Sequence, residues 1–406
     1  MLQFAFKDRH RTSSPLFAVL GCCLANTALC QTAESPVSAY EIEARIDGEA
    51  WRNAHGGLAV DNRFLLHGIV TLTVNGDAAF GIPGLTLYGS TLYTNGQSIN
   101  ELVGSVQGIS NVEAPRAWRW FETWLEWAYG AQPNSLKFGL YDVNSEFDAV
   151  DTAGLFINPS HGIGPDFSQS GANGPSIFPV ASLALRSWHQ RGPWTVQLAA
   201  LDGTPGDPDR PTRSTVKFGS RDGLLLLAEA GLTVASGWRT AVGYWRYTAK
   251  FDDLLTTDNT GAPTQRNDND GYYVFTDVPL FPAEHRFGLN AFVRYGNANA
   301  HINPTRSYLG GGIVLSGLTH EKSEDQLGLA FGIVRAGRDF RVAQVAEGLD
   351  TASDERIVEL TYYFPATGWL SLQPDIQHVH RAGFDAAVRD AWVFGVRFSL
   401  NARWQK

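Results

Sequence analysis

The sequence predicts an all-β chain: a single transmembrane up-and-down antiparallel β-barrel of about sixteen strands. Three observations predict it. Apolar and polar residues alternate with a period of two from Ala39 to the C-terminus. The turn-rich connections between the alternating stretches are long and short by turns. After the leader, no stretch reaches the ~18 consecutive apolar residues of a spanning helix.

Composition fits this class. Hydrophobic residues are 44%, charged residues 18% and aromatics 12%, with 42 Gly in 406 residues. That richness in aromatics argues against disorder, and the paucity of charge argues against a coiled coil. A barrel strand faces lipid with one set of side chains and its lumen with the other, so the chain as a whole is no more apolar than a soluble protein. The net charge of -9 offers no basic stripe, which excludes a nucleic-acid partner.

The N-terminus is a separate element. Lys7, Arg9 and Arg11 precede an apolar run from Pro15 to Cys30, and Ala28 and Cys30 are small residues before Gln31. This predicts a signal peptide over 1–30 and a barrel domain over 31–406. Cys22, Cys23 and Cys30 all lie in that leader, so disulfides and thiolate metal sites are excluded from the exported chain.

The strands follow from alternation. Ile42, Ala44 and Ile46 alternate with Glu43, Arg45 and Asp47; Val70, Leu72 and Val74 with Thr71 and Thr73. Phe121, Leu125, Trp127 and Tyr129 oppose Glu122, Trp124 and Glu126. Leu289, Ala291, Val293 and Tyr295 oppose Asn290, Phe292 and Arg294; Trp392, Phe394, Val396 and Phe398 oppose Gly395, Arg397 and Ser399. Strands are expected near 39–51, 65–76, 85–94, 118–129, 135–143, 181–188, 194–202, 222–234, 237–249, 271–281, 285–296, 306–317, 324–335, 354–365, 368–379 and 390–404. Long connections fall at 52–64, 95–117, 144–180, 203–221, 250–270, 297–305, 336–353 and 380–389, with short ones between. Long outer loops and short periplasmic turns are the habit of outer-membrane barrels, and an even strand number puts both termini inside. Trp118, Trp127, Tyr129, Trp188, Trp194, Trp245, Tyr247, Trp369, Trp392 and Trp404 stand near strand ends, where interfacial girdles form.

Several blocks are too long and irregular to be accidental. They include 103–111 (VGSVQGISN), 136–147 (LKFGLYDVNSEF) and 155–165 (LFINPSHGIGP), then 174–179 (GPSIFP) and 372–377 (LQPDIQ). Through these the chain resembles the carbohydrate-selective porins of the OprB type. The resemblance implies a sixteen-stranded barrel in the Gram-negative outer membrane, passive diffusion of small neutral sugars, and a constriction made by inward-folded outer loops. Arginines and acidic residues pair in such a constriction, and 144–180 is the candidate loop. Outer-membrane lipid, lipopolysaccharide and the barrel-assembly machinery are the other implied partners. The alternatives are a general or otherwise substrate-specific channel and, more distantly, a secreted β-rich carbohydrate-active enzyme.

A sugar is a polyol with apolar C–H faces, so selecting one needs planar donors and acceptors beside an aromatic surface. By alternation Lys137, Arg186, Arg294 and Arg397 face the lumen, as do Glu126 and Glu122; Glu146 and Asp148 open the long loop. Lys137, Glu146, Asp148 and Arg186 are expected to meet at mid-height, with Trp124 and Trp188 as stacking surfaces. A catalytic carboxylate pair would have to come from Asp142, Glu146, Asp148 and Asp151, but these border a Gly/Pro/Asn-rich loop; no catalytic residue is assigned. His378 and His380 share a strand face without a third ligand, and the acids of 250–270 read as a solvated outer loop. No metal and no cofactor is expected.

Overall fold

The computed structural model describes residues 38–131, 133–217, 219, 222–281, 287–319 and 323–406. The leader over 1–30 lies outside the described residues. The strands are β1 (Tyr40–His55), β2 (Asp61–Asn75), β3 (Leu85–Gly96), β4 (Ala117–Tyr129), β5 (Asn134–Tyr141), β6 (Ser182–Arg191), β7 (Trp194–Asp202), β8 (Leu224–Thr233) and β9 (Arg239–Tyr247). A small ribbon follows, β10 (Phe251–Thr257) with β11 (Pro263–Arg266). Then come β12 (Asp270–Phe281), β13 (Gly288–Ala298), β14 (Thr305–Ser316), β15 (Gln326–Ala336), β16 (Asp354–Pro365), β17 (Leu370–His380) and β18 (Ala391–Gln405).

Sixteen of these pair antiparallel, each with its chain neighbours, and β1 pairs with both β2 and β18 to close the barrel. Closure gives every strand of the barrel a partner on both sides, which a hydrocarbon surround demands because it offers no hydrogen bonds. Among the described strands only the ribbon in the 250–270 connection stands apart, so β9 pairs directly with β12.

The two faces sort as the period requires. On β18 Trp392, Phe394, Phe398, Leu400 and Trp404 are exposed outward, while Val393, Arg397 and Ser399 are buried inward. Glycine matters where an inward aromatic must lie flat on the wall. Gly395 under Trp51 and Gly243 under Tyr273 leave no room for a Cβ.

The structure departs from the sequence expectation in four places. First, long and short connections do not alternate strictly. β1 and β2 continue above the apolar belt to the pair Asn53↔Asp61, leaving residues 56–60 as an outer connection. The outer connection from Ala298 to Thr305 is likewise shorter than the inner one from Ser316 to Gln326. Strand pairing continues into water as readily as in lipid, so loop length is not fixed by membrane thickness. Second, a bulge in β4 turns both Phe121 and Glu122 inward, and Phe121 packs with Ile69 and Leu92. Third, Trp245 and Tyr247 are not girdle residues. They are fully buried in the lumen, where Trp245 stacks on Phe167 of the long loop at 5.2 Å. Fourth, β5 stops at Tyr141, so β4 above Thr123 has no strand beside it on that flank. Ser214, from the connection between β7 and β8, fills the place. Its hydroxyl accepts from Trp120 N at 2.6 Å and donates to Trp120 O at 2.9 Å.

Candidate pore constriction

The long connection between β5 and β6, residues 142–181, turns into the lumen instead of outward. It carries short turns rather than strands, because Asn158 and Gly164 lead into Pro159 and Pro165, which lack the N–H a sheet needs. The wall therefore supplies the hydrogen bonds this backbone lacks. Glu359 accepts from Ile157 N at 2.6 Å and Asn158 N at 3.1 Å. Asp277 accepts from Thr152 N at 2.9 Å, and Gln373 donates to Leu155 O at 2.7 Å. Arg239 donates to Ala149 O at 2.7 Å. Phe167 lies against Trp245, and Phe156 lies 5.9 Å from Phe292.

One charged ladder runs across three adjacent strands. Glu126, Lys137 and Arg186 are direct cross-strand partners on β4, β5 and β6. Glu146 from the loop closes it. Lys137 Nζ lies 2.6 Å from Glu146 Oε1; Arg186 Nε and Nη2 reach its two oxygens at 2.6 and 2.7 Å, and Tyr141 donates to it at 2.7 Å. Arg186 Nη2 also reaches Glu126 at 2.9 Å, and Lys137 lies 3.6 Å from Glu126. The Lys137 ammonium sits 4.1 Å above the Trp124 ring, itself stacked on Tyr88, and the Arg186 guanidinium is 6.0 Å from Trp188. Exposure separates the partners: the cations are 5% and 2% exposed, whereas Glu126 and Glu146 are 25% and 20% exposed. The carboxylate edges of Glu126 and Glu146 and the half-buried rings of Trp124 and Trp188 are the parts of this ladder open to the lumen.

Asp148 does not join this ladder. Its φ of 52° turns the chain away, and its carboxylate meets Arg294 of β13 at 2.6 Å. Asp166 shares the same guanidinium. Glu229 and Tyr273 hold the Asp148 amide at 2.9 and 3.1 Å. All three charges are buried to 4% or below. Arg397 forms a third group on another wall, with Glu49 at 2.6 Å and Asn111 at 2.5 Å. Asn111 belongs to a second inward segment, 97–116, whose Ser105, Val106 and Gln107 are held by Glu355 at 2.7, 2.9 and 3.1 Å. Between the two inward segments opens a cavity of about 290 Å³ lined by Gln107, Ser110, Asn111, Asn144, Ser160 and Gln169.

Sequence reasoning missed Glu359, Glu355, Glu229 and Glu49, the buried acceptors that hold the segments in place. Their signal is a carboxylate in inward phase on an outer half-strand, which alternation alone does not separate from a solvated lumen charge. His378 and His380 both pair with Asp390, at 3.9 and 2.8 Å. Among the described residues no cluster of three His, Cys, Asp or Glu is placed to hold a metal.

A closed barrel with an apolar outer belt and a lumen narrowed by charge-paired inward segments defines an outer-membrane diffusion channel. The sequence profile of the carbohydrate-selective porin, OprB family, matches residues 70–401, and the chain belongs to that family. Porin B of Pseudomonas aeruginosa is 23% identical over 400 residues, covering 88% of this chain and 86% of that protein. The high-pH structure of Pseudomonas putida OprB superposes with a TM-score of 0.79 at 18% identity, over 90% of this chain and 94% of that one. The outer-membrane channel DcaP of Acinetobacter baumannii shares the fold at a TM-score of 0.55 and 11% identity, over 90% and 98% of the two chains. This chain is thus a carbohydrate-selective channel of the Gram-negative outer membrane.

Proposed function

We propose that the chain passes small neutral sugars by passive diffusion, and that Glu126, Glu146, Lys137 and Arg186 with Trp124 and Trp188 form the rung they cross. One observation carries this reading: the ladder leaves its carboxylate edges and the half-exposed rims of Trp124 and Trp188 open to the lumen while keeping its cations paired behind them. The charges balance locally, so a neutral polyol is not excluded. Its hydroxyls find acceptors, and its C–H face finds an aromatic rim. Arg294, Asp148 and Arg397 act as struts that hold the narrowing segments. The channel carries out no chemistry on its solute. Delivery to the membrane goes through the barrel-assembly machinery, with closure made by the pairing of β18 on β1.

Liposome swelling with the purified chain tests the reading. Swelling in isotonic glucose and reversible block of ion current by added glucose are expected. Absence of both sinks the sugar reading and leaves a channel for other solutes.

A further inference from the structure

The two carboxylates of the ladder are not alike. Four donors close on Glu146. Lys137 Nζ and Arg186 Nη2 reach its Oε1 at 2.6 and 2.7 Å, and Arg186 Nε and the Tyr141 hydroxyl reach its Oε2 at 2.6 and 2.7 Å. A carboxylate has about four lone-pair sites, so Glu146 has none left for a solute. Glu126 has. Arg186 Nη2 donates to its Oε1 at 2.9 Å, while Lys137 stands 3.6 Å from its Oε2, beyond hydrogen-bond reach. Among the described residues nothing donates to that oxygen, and Glu126 is the more open of the two acids.

The cations of the narrowing stand behind their acids. Lys137, Arg186, Arg294 and Arg397 are each exposed by 7% or less. Arg45, Arg239 and Arg403 are more open, but each faces a carboxylate of its own, in Asp47, Glu229 and Glu43. Among the described residues lining the cavity between the inward segments, Glu113 alone is charged. A solute moving inward therefore meets the negative ends of oriented ion pairs.

We propose that Glu126 makes the rung select for a protonated amine, so that a cationic amino sugar binds there more tightly than a neutral sugar and a sugar acid more weakly. The proposal rests on the reading of the ladder as the rung that sugars cross. An ammonium is a compact charge with three donors. Glu126 Oε2 accepts one of them, and a charge-assisted hydrogen bond is about twice as strong as the neutral one a hydroxyl makes. Lys137 and Arg186 weaken this pull without cancelling it, because the solute approaches from the carboxylate side and Coulomb attraction falls with distance. A sugar acid sets like charges against Glu126. It also finds the Arg186 fork already spent on Glu146, Glu126 and Ser135.

Planar-bilayer recordings on the full chain at low salt test this, with glucosamine, N-acetylglucosamine, glucose and glucuronate as the blocking solutes. At about pH 6 the amine of glucosamine is protonated. Its half-block concentration should then lie about tenfold below those of glucose and N-acetylglucosamine, which are uncharged. Glucuronate should block more weakly than glucose. The preference for glucosamine should fade as pH rises past the value of its own amine, and as added salt screens the pair. Glu126→Gln should bring glucosamine and N-acetylglucosamine to the same half-block concentration, and Glu126→Asp should keep them apart. Heat-modifiable migration on a gel checks that each variant forms a barrel. Equal block by glucosamine and glucose in the native chain overturns the inference without any variant, and leaves the sugar reading in place. A preference that survives in Glu126→Gln overturns the role given to this carboxylate. Loss of block by all four solutes fells the sugar reading and the inference together.

Discussion

Arg186 and Glu146 meet through two parallel hydrogen bonds, Nε to Oε2 at 2.6 Å and Nη2 to Oε1 at 2.7 Å. One partner stands on a barrel strand and the other on the segment that narrows the lumen. The pair therefore ties the inward segment to the barrel wall.

Replacing Arg186 with Ala should weaken sugar block in planar bilayers by about tenfold or more, since a charge-assisted hydrogen bond contributes roughly 1.5–3 kcal/mol. The barrel should still form, as judged by heat-modifiable migration on a gel. Arg186→Lys keeps the charge but not the fork, and should fall between. Unchanged conductance and unchanged block would make Arg186 part of the wall only.

Trp124 is stacked on Tyr88, carries the Lys137 ammonium on its ring and leaves its rim half-exposed in the lumen. Trp124→Ala should weaken glucose block by several-fold, while Trp124→Phe should retain most of it, because stacking needs a ring more than an indole N–H. Equal block in both variants would remove Trp124 from the site.

Arg294 neutralises Asp148 and Asp166 together. Arg294→Ala leaves two buried carboxylates without their cation, a loss of about 3–5 kcal/mol. The expected result is release of the 144–180 segment rather than collapse of the barrel. Single-channel conductance and current noise should rise, and limited proteolysis should cut within that segment. A variant that is quiet and resistant to protease would show the segment is held elsewhere.

Glu359 gives both of its oxygens to backbone amides of the loop. Glu359→Ala should speed amide hydrogen exchange at Ile157 and Asn158, each orphaned N–H costing about 1–3 kcal/mol. Glu359→Gln keeps one acceptor oxygen and should protect one amide of the two. Identical exchange in the native chain and Glu359→Ala would contradict the role given to this carboxylate.

Ser214 completes the wall beside Trp120. Ser214→Ala should lower the temperature at which the barrel unfolds on a gel, while Ser214→Thr, which keeps the hydroxyl, should not. Equal temperatures for all three would mean that lipid-level water satisfies Trp120 instead.

Periodicity in β18 and β13 is enough to send Arg397 and Arg294 inward and Trp392 and Val293 outward, because side-chain direction on a strand is a local property of the backbone. The same rule places Glu126, Lys137 and Arg186 in the lumen. It does not say that they are register partners, since register depends on where neighbouring strands begin. It fails at Phe121, where one bulged residue reverses the phase. It assigns Trp245 to the girdle because a strand end looks the same from either face.

Alternation and turn residues alone encode a barrel of about sixteen strands and most of the residues on its inner face, whereas the choice of 144–180 as the narrowing connection comes from the family resemblance. Who meets whom inside is settled only by tertiary contact. Glu146 turns to Lys137 and Arg186, whereas Asp148, two residues on, turns to Arg294 across the lumen. The loop's path is set by acceptors such as Glu359 and Glu229, far away in sequence. A loop inside a barrel has no ladder of its own. Its shape is fixed by whichever wall groups satisfy its backbone, and closing the barrel is what brings them within reach.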